Sequence, residues 1–179
     1  KFLRHFDRMS LCGKLGIDCD KFTVLLMTGS FGFGPLEEIV EALHKDCQVL
    51  VVCAGNKKLY TKLLQRNLEN VKVFGFISNT EELMAAAQVI ITKPGGGTIT
   101  EVLIMELPVI FISAIPGQET ANVQALSEYG IGVSPKSIEG IKNTVLDLKN
   151  NPEKIEELRQ RIRKIKKPFA CQELANVIC

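Results

Sequence analysis

Short uncharged apolar runs alternate along this chain with stretches whose apolar residues recur at helical spacing. Thr23–Met27 carries no charge over five residues, as a strand buried on both faces should read. Residues 35–44 follow with Leu36, Ile39, Val40 and Leu43 on one helical face. The pattern then repeats: strand 49–53, helix 57–68, strand Val71–Phe74, helix 80–88, strand Val89–Thr92, helix 98–106, strand 109–113 and helix 118–129. Gly130 ends that helix, and 131–133 reads as a short sixth strand before Pro135. Helices are expected at 137–148 and 152–166, the latter with Asn151 and Pro152 at its start, and Pro168 precedes a last helical stretch at 169–178. Strand–helix alternation of this kind predicts an α/β protein with an open parallel sheet of about six strands and helices on both faces. Residues 1–20 are weakly periodic and read as a lead-in; 21–179 read as one domain. No internal repeat or low-complexity segment interrupts it.

Composition narrows the picture. The 179 residues are 46% hydrophobic, with a mean hydropathy of +0.13, enough to fill one sizeable core. A net charge of +2 is too small to argue for nucleic acid. No apolar run approaches the roughly 20 residues of a membrane span. The start KFLRHFDRMS has no initiator Met and no signal-peptide pattern, and reads as a processed or excised piece. The six cysteines (Cys12, Cys19, Cys47, Cys53, Cys171, Cys179) contain no C-x-x-C pair. They are read as free thiols of a reducing compartment, the cytoplasm.

The chemistry is carried by loops at the carboxyl ends of the expected strands. The central stretch, VIITKPGGGTITEVLIMELPVIFISAIPGQETAN, sends a strand through Pro94 and three glycines into a helix. The glycines admit a close ligand, and the orphan N–H groups of a first helical turn favour an anion. The later PGQETAN loop offers amide and carboxylate side chains suited to hydroxyl groups, so a phosphate and a sugar are the natural joint ligand. The earlier loop Thr28-Gly29-Ser30-Phe31-Gly32-Phe33-Gly34 is either a tight turn into a helix or a second backbone cradle. Gly75-Phe76-Ile77 either meets the edge and face of a flat base or plugs the core. Thr98-Ile99-Thr100-Glu101 has the form of a capping box, in which Glu101 turns back to the Thr98 N–H. The alternative points Glu101 into the crevice to accept ribose hydroxyls. Lys93 is a phosphate counter-charge or a solvated residue.

Other nucleotide and metal motifs fail. There is no P-loop, and the second strand runs into Ala54-Gly55-Asn56 where a dinucleotide site wants an acid, so NAD is not expected. Asp18-Cys19-Asp20 precedes its strand rather than following one and reads as a turn, so no metal ligands are assigned. The basic cluster Arg159, Arg161, Arg163, Lys164, Lys166 and Lys167 is a solvated, dipole-complementing face in preference to a lipid or nucleic-acid patch.

Four motifs, LLMTGSFGFG, VFGFISNTEELMAAA, ITKPGGGTITEVL and LPVIFISAIPGQETAN, stand in the order found in the diacylglycerol glycosyltransferases. The chain closely resembles the C-terminal half of that family, from about Lys21 onward, and more distantly the lipid II glucosaminyltransferase. The resemblance implies one Rossmann-like, doubly wound half of a GT-B fold that binds a UDP-sugar donor. It implies uracil near Phe76 and Ile77, ribose at Glu101, and diphosphate at Gly96, Gly97 and Thr98 with Gly29 and Ser30 nearby. Gln118 and Glu119 would hold the hexose, with Asn122 supporting their loop. It implies inverting, metal-independent transfer from UDP-hexose to a membrane lipid, diacylglycerol in the first instance, by a protein lying peripherally on the cytoplasmic face. The acceptor site and catalytic base would belong to an N-terminal domain that this chain lacks, so the chain alone is expected to bind donor without turnover. Neither His5 nor His44 is placed to act as that base. The alternatives are a lipid II-type N-acetylglucosaminyltransferase and a non-catalytic nucleotide-sugar-binding module; a UDP-sugar epimerase is disfavoured because too few acids lie near the motifs.

Overall fold

The computed structural model describes residues 1–32, 34–112, 117–170, 172, 173 and 175. Among these, five parallel strands form one sheet in the order β3-β2-β1-β4-β5. They are β1 (Thr23–Met27), β2 (Gln48–Val52), β3 (Val71–Phe74), β4 (Val89–Thr92) and β5 (Val109–Phe111). Eight helices accompany them: α1 (Arg8–Leu15), α2 (Leu36–Leu43), α3 (Lys57–Arg66), α4 (Thr80–Ala86), α5 (Gly96–Ile104), α6 (Gln118–Glu128), α7 (Ile138–Asn150) and α8 (Pro152–Ile165). The sheet is doubly wound, because β1 crosses to β2 on one side and β3 returns to β4 on the other.

Strand periodicity divides the core. Val24, Leu26, Val49, Val51, Val89 and Ile91 point to one face, where α2 and α7 supply Leu36, Ile39, Leu43, Ile141 and Val145. Leu25, Met27, Leu50, Val52 and Ile90 point to the other, against Leu83 and Met84 of α4, Val102 of α5 and Leu126 of α6. Every residue of β1, β2, β4 and β5 is buried, which is why these strands carry no charge. Helix α8 spans the sheet edge, with Ile155 in the first cluster and Ile162 in the second.

Three expectations change. The sheet has five strands, not six. Residues 131–133 make only one bridge, Ile110 to Val133, because Gly130 and Gly132 take φ of 64° and 77°, which breaks an extended run. Cys12 and Cys19 are not free thiols but a disulfide: Gly16 ends α1 in the left-handed conformation and turns the chain back, bringing the two Cα atoms to 5.6 Å. Cys47 and Cys53 are free and buried, and burial pushes the Cys53 thiol up to about 11; Cys171 and Cys179 lie outside the described residues. The thiol argument for a reducing compartment therefore does not hold for the first pair. The lead-in also contains α1, capped by Asp7 through the N–H groups of Met9 and Ser10.

One structural reading stands and another changes in part. Asp18 Oδ1 accepts the Asp20 N–H at 2.9 Å, making the D-x-D a turn at the amino end of β1, opposite the loops of interest. Arg163 of α8 and its C-cap Lys166 each reach Glu106 at 2.6 Å, and Arg161 donates to the Gly130 carbonyl at 3.0 Å. Burial raises the Glu106 carboxyl, but those two cations outweigh it and hold it below the ordinary range. Half of the basic cluster thus fastens α8 to the end of α5 and the turn after α6.

Glycine has different duties in the two glycine-rich loops. At Gly32 φ is 60°, and an added Cβ would stand 2.3 Å from the Cys53 carbonyl oxygen. At Gly97 nothing lies within 4 Å of such a Cβ. Gly32→Ala should therefore lose about 2 kcal/mol or more of stability, whereas Gly97→Ala should stay within about 0.5 kcal/mol of the parent. Chemical denaturation midpoints of the two variants check this; equal midpoints would refute the assignment of Gly32 to packing.

Candidate functional site

Because all five strands run parallel, their carboxyl ends deliver five loops to one rim. Where strand order reverses, between β1 and β4, the loops part and leave a crevice. A cavity of about 180 Å³ opens there, lined by Met27, Gly29, Ser30, Val52, Ala54, Phe76, Ile77, Thr80, Thr98 and Glu101. Six of the residues singled out from sequence meet in it: Gly29, Ser30, Phe76, Ile77, Thr98 and Glu101. A larger, mostly apolar cavity of about 260 Å³ under β5, between α7 and α8, holds none of them.

The wall from β1 is braced by its neighbour. Gly55 N–H donates to the Ser30 carbonyl at 3.1 Å, and Asn56 Nδ2 donates to the Gly32 carbonyl at 3.3 Å. Both contacts hold the first glycine loop against the turn after β2, leaving Ser30 exposed at the rim. Ala54, in that turn, takes φ of 49°, uncommon for a residue with a Cβ, and faces the cavity. Phe76, beyond β3, is 80% exposed, whereas Ile77 packs into the core behind it. Of this pair, Ile77 is half-buried, packing on the core while it lines the cavity, and Phe76 is an exposed ring at the mouth.

Helix α5 begins at Gly96 with Gly95 as its N-cap, three residues earlier than the capping-box reading needs. No side chain caps it. Gly96, Gly97 and Thr98 form its first turn, where N–H groups have no intrahelical acceptor. None of Gly95, Gly96 or Gly97 has a positive φ, and a Cβ on any of them would meet nothing within 4 Å. The fold does not require glycine at these three positions. Glu101 is consequently well inside the helix, too far along to return to the Thr98 N–H. The capping box does not form, and the carboxylate turns to the cavity. Burial raises its pKa above the ordinary value, Lys1 opposing and Glu81 adding to the effect.

Helix α6 is laced to this helix start by Asn122, whose Nδ2 donates to the Pro94 carbonyl at 2.9 Å. Gly117 N–H donates to Thr120 Oγ1 at 3.1 Å, which fixes the first turn of α6. Gln118 and Glu119 open that helix and lie outside the cavity lining; residues 113–116, the last of which begins the PGQETAN loop, lie outside the described residues. His44 is buried at the far end of α2, away from the rim. Sequence reasoning missed Ala54 and Thr80 as lining residues. Their positions just beyond β2 and at the start of α4 were the available signal, since only strand ends and helix starts reach the rim.

Residues 23–173 match the Glycosyltransferase family 28 C-terminal domain. The chain is 31% identical over 188 residues to a processive diacylglycerol beta-glucosyltransferase of Staphylococcus saprophyticus, covering 99% of this chain and 48% of that protein. It is 38% identical over 181 residues to monogalactosyldiacylglycerol synthase 1, chloroplastic, of Arabidopsis thaliana, covering 94% and 34%. The chain thus spans half or less of the length of these relatives. Among solved structures, Acinetobacter baumannii MurG superposes with a TM-score of 0.74 at 19% identity, over 99% of this chain and 54% of that one. Anabaena HepE in complex with UDP gives 0.73 at 19%, over the same shares. These two likenesses establish the architecture, one Rossmann-like half of a GT-B fold. By the match over most of its length and by its relatives, the chain belongs to the C-terminal domains of glycosyltransferase family 28.

Proposed function

We propose that this chain is the donor-binding half of an inverting glycosyltransferase that moves a hexose from UDP-hexose to a membrane lipid, diacylglycerol in the first instance. The observation that carries this reading is the uncapped start of α5, with three glycines the fold does not need, beside a half-buried carboxylate and an exposed aromatic ring. Open N–H groups suit a diphosphate. A carboxylate that gives up solvation must gain a partner when the ligand arrives, and paired ribose hydroxyls supply it. Phe76 offers a face for uracil, with Ile77 behind it. The cavity is smaller than the ~300 Å³ of a complete small-molecule site, which fits a base and ribose with the diphosphate and sugar continuing outward along α5 and α6. Gln118 and Glu119 stand at the start of α6 for the hexose hydroxyls, and Asn122 holds that helix to the phosphate turn. The names of the relatives favour a glycerolipid over lipid II as acceptor.

In the chemistry that follows, an acceptor hydroxyl attacks the anomeric carbon as the bond to the β-phosphate oxygen breaks, and UDP departs with the electron pair. The dipole and N–H groups of α5 stabilise the charge that develops on the diphosphate, the role a metal plays in other transferases. The base that takes the hydroxyl proton, the acceptor site and peripheral docking at the cytoplasmic face of a membrane belong to the remainder of the protein. Among the described residues no helix is long and apolar enough to cross a membrane, and no group of three or more His, Cys, Asp or Glu is gathered.

UDP binding by this chain is expected to survive EDTA unchanged in isothermal titration; loss of binding on chelation would overturn the metal-free reading. Glu101→Gln should weaken UDP by about 1.5–3 kcal/mol, roughly ten- to 150-fold, the value of hydrogen bonds to a charged group. Its effect on stability runs the other way. With the folded pKa raised, the carboxyl contributes stability below its unfolded pKa that is lost as pH rises through the folded value. Gln removes that loss, so the midpoint at pH 7 should equal or exceed the parent's. Unchanged affinity with a lowered midpoint would mean a structural role for Glu101.

Changing Gln118 and Glu119 together to Ala should leave UDP affinity nearly unaltered while abolishing any preference for UDP-glucose or UDP-galactose over UDP. The preference expected is several-fold, at about 0.5–1.5 kcal/mol for each hydroxyl bond. Undiminished donor selectivity of the same double variant in a two-domain relative would remove both residues from the site.

A further inference from the structure

The lead-in is fastened to one wall of the cavity and to little else near it. Lys1 Nζ donates to the Ser78 carbonyl at 2.8 Å and meets Glu81 Oε2 at 2.9 Å. Lys14 Nζ reaches both oxygens of Glu82, at 2.6 and 2.7 Å, and Asn79 Nδ2 donates to Glu82 Oε2 at 2.6 Å. Residues 75–79 are the segment that presents Phe76, and Glu81 and Glu82 lie in the first turn of α4, directly after Thr80 at the cavity edge. Apolar packing reinforces the ties. Phe2, Leu15 and Ile17 of the lead-in pack on the same core cluster as Ile77, Leu83 and Met84. Its other end is tied to β2, where the Asp18 N–H donates to Gln48 Oε1 at 2.9 Å and Gln48 Nε2 donates to the Asp18 carbonyl at 3.2 Å, while the Cys12–Cys19 disulfide and an Arg8 hydrogen bond to the Cys19 carbonyl at 2.6 Å brace the lead-in internally.

From this we infer that the lead-in helix is a positioning element for the base wall, with Lys1 and Lys14 as positioning residues that hold the Phe76 loop and so set selectivity for the nucleobase. The inference rests on the donor-site reading given above. Phe76 is largely exposed, so its placement depends on the backbone of residues 75–79. That backbone follows β3, an edge strand whose residues are only partly buried. A loop leaving an edge strand needs a second support, and the two lysines provide it from outside the sheet. Without the lysines, the diphosphate turn of α5 remains intact while the base wall loosens. Base discrimination should fall more than phosphate affinity.

The test replaces both Lys1 and Lys14 by Met in the full chain and compares UDP with GDP. We expect the ratio of UDP to GDP affinity to fall about two- to five-fold, with GDP affinity falling less than UDP affinity, and the conservative Lys1→Arg/Lys14→Arg variant to restore the ratio. In parallel, amide hydrogen exchange of residues 75–79 should rise in the Met variant without ligand and return in the Arg variant. A ratio and exchange rates equal to those of the parent would overturn the inference. So would losses of UDP and GDP affinity in equal proportion accompanied by a lowered denaturation midpoint, the signature of a structural tie alone. If the unaltered chain binds neither nucleotide, the donor-site reading fails, and the exchange rates still decide whether the lysines hold the loop.

Discussion

The molecule depends on one constraint: four strands buried on both faces, with β3 half-covered at one edge, must all run the same way. A strand covered by helices on both sides can carry no charge within it, so every polar group the chain uses for chemistry is pushed to the strand ends. Parallel direction then collects one set of ends on one rim, and the reversal of order between β1 and β4 parts the loops that leave them. The cavity beside α5 is a consequence of that topology before any side chain is considered. What the sequence adds is the choice of residues at each exit: glycine after β1 and β4, an aromatic ring after β3, and a carboxylate one turn and a half into α5.

That carboxylate is the least comfortable group in the site. Glu101 is half-buried, its neighbours include a second acid at Glu81, and burial outweighs the help it receives from Lys1. Glu106, a few residues on, meets the same desolvation but has Arg163 and Lys166 within hydrogen-bond distance, and its pKa moves the opposite way. The comparison separates a structural acid from a poised one on physical grounds. A carboxylate whose charge is compensated inside the fold has little to offer a ligand. One that is not compensated gains from any donor the ligand brings.

The sheet was largely legible in the sequence because burial on both faces leaves a plain mark. β1 and β4 begin and end where the charge-free runs do. The expected sixth strand failed for a backbone reason: its residues were apolar enough, but glycines at positive φ on both sides of Ile131 left only one bridge. α1 was illegible because its buried residues, Leu11 and Cys12, are adjacent rather than spaced along a stripe. The Cys12–Cys19 bond could not be read from spacing, since it depends on the left-handed turn at Gly16. At the site, glycines and strand exits were readable, whereas Glu101 was not. Thr-x-x-Glu is the same four residues whether it caps a helix or sits within one, and only the start of α5 at Gly96 decides.

The two halves of the rim differ in how they are held, and this bears on what each can do. The α5 side, the phosphate side on the proposed reading, is built into the sheet: α5 springs directly from β4, and Asn122 ties α6 to Pro94 across the same turn. The base side hangs from an edge strand and is supported by a segment that precedes the first strand. A central turn of backbone N–H groups recognises phosphate with little regard for what the phosphate carries. An aromatic ring on a braced edge loop can be retuned through its braces without disturbing the core. On the proposed reading, affinity for the diphosphate and selectivity for the base are thus assigned to elements of unequal rigidity. Changes in the lead-in would alter which nucleotide is chosen well before they altered whether the domain folds.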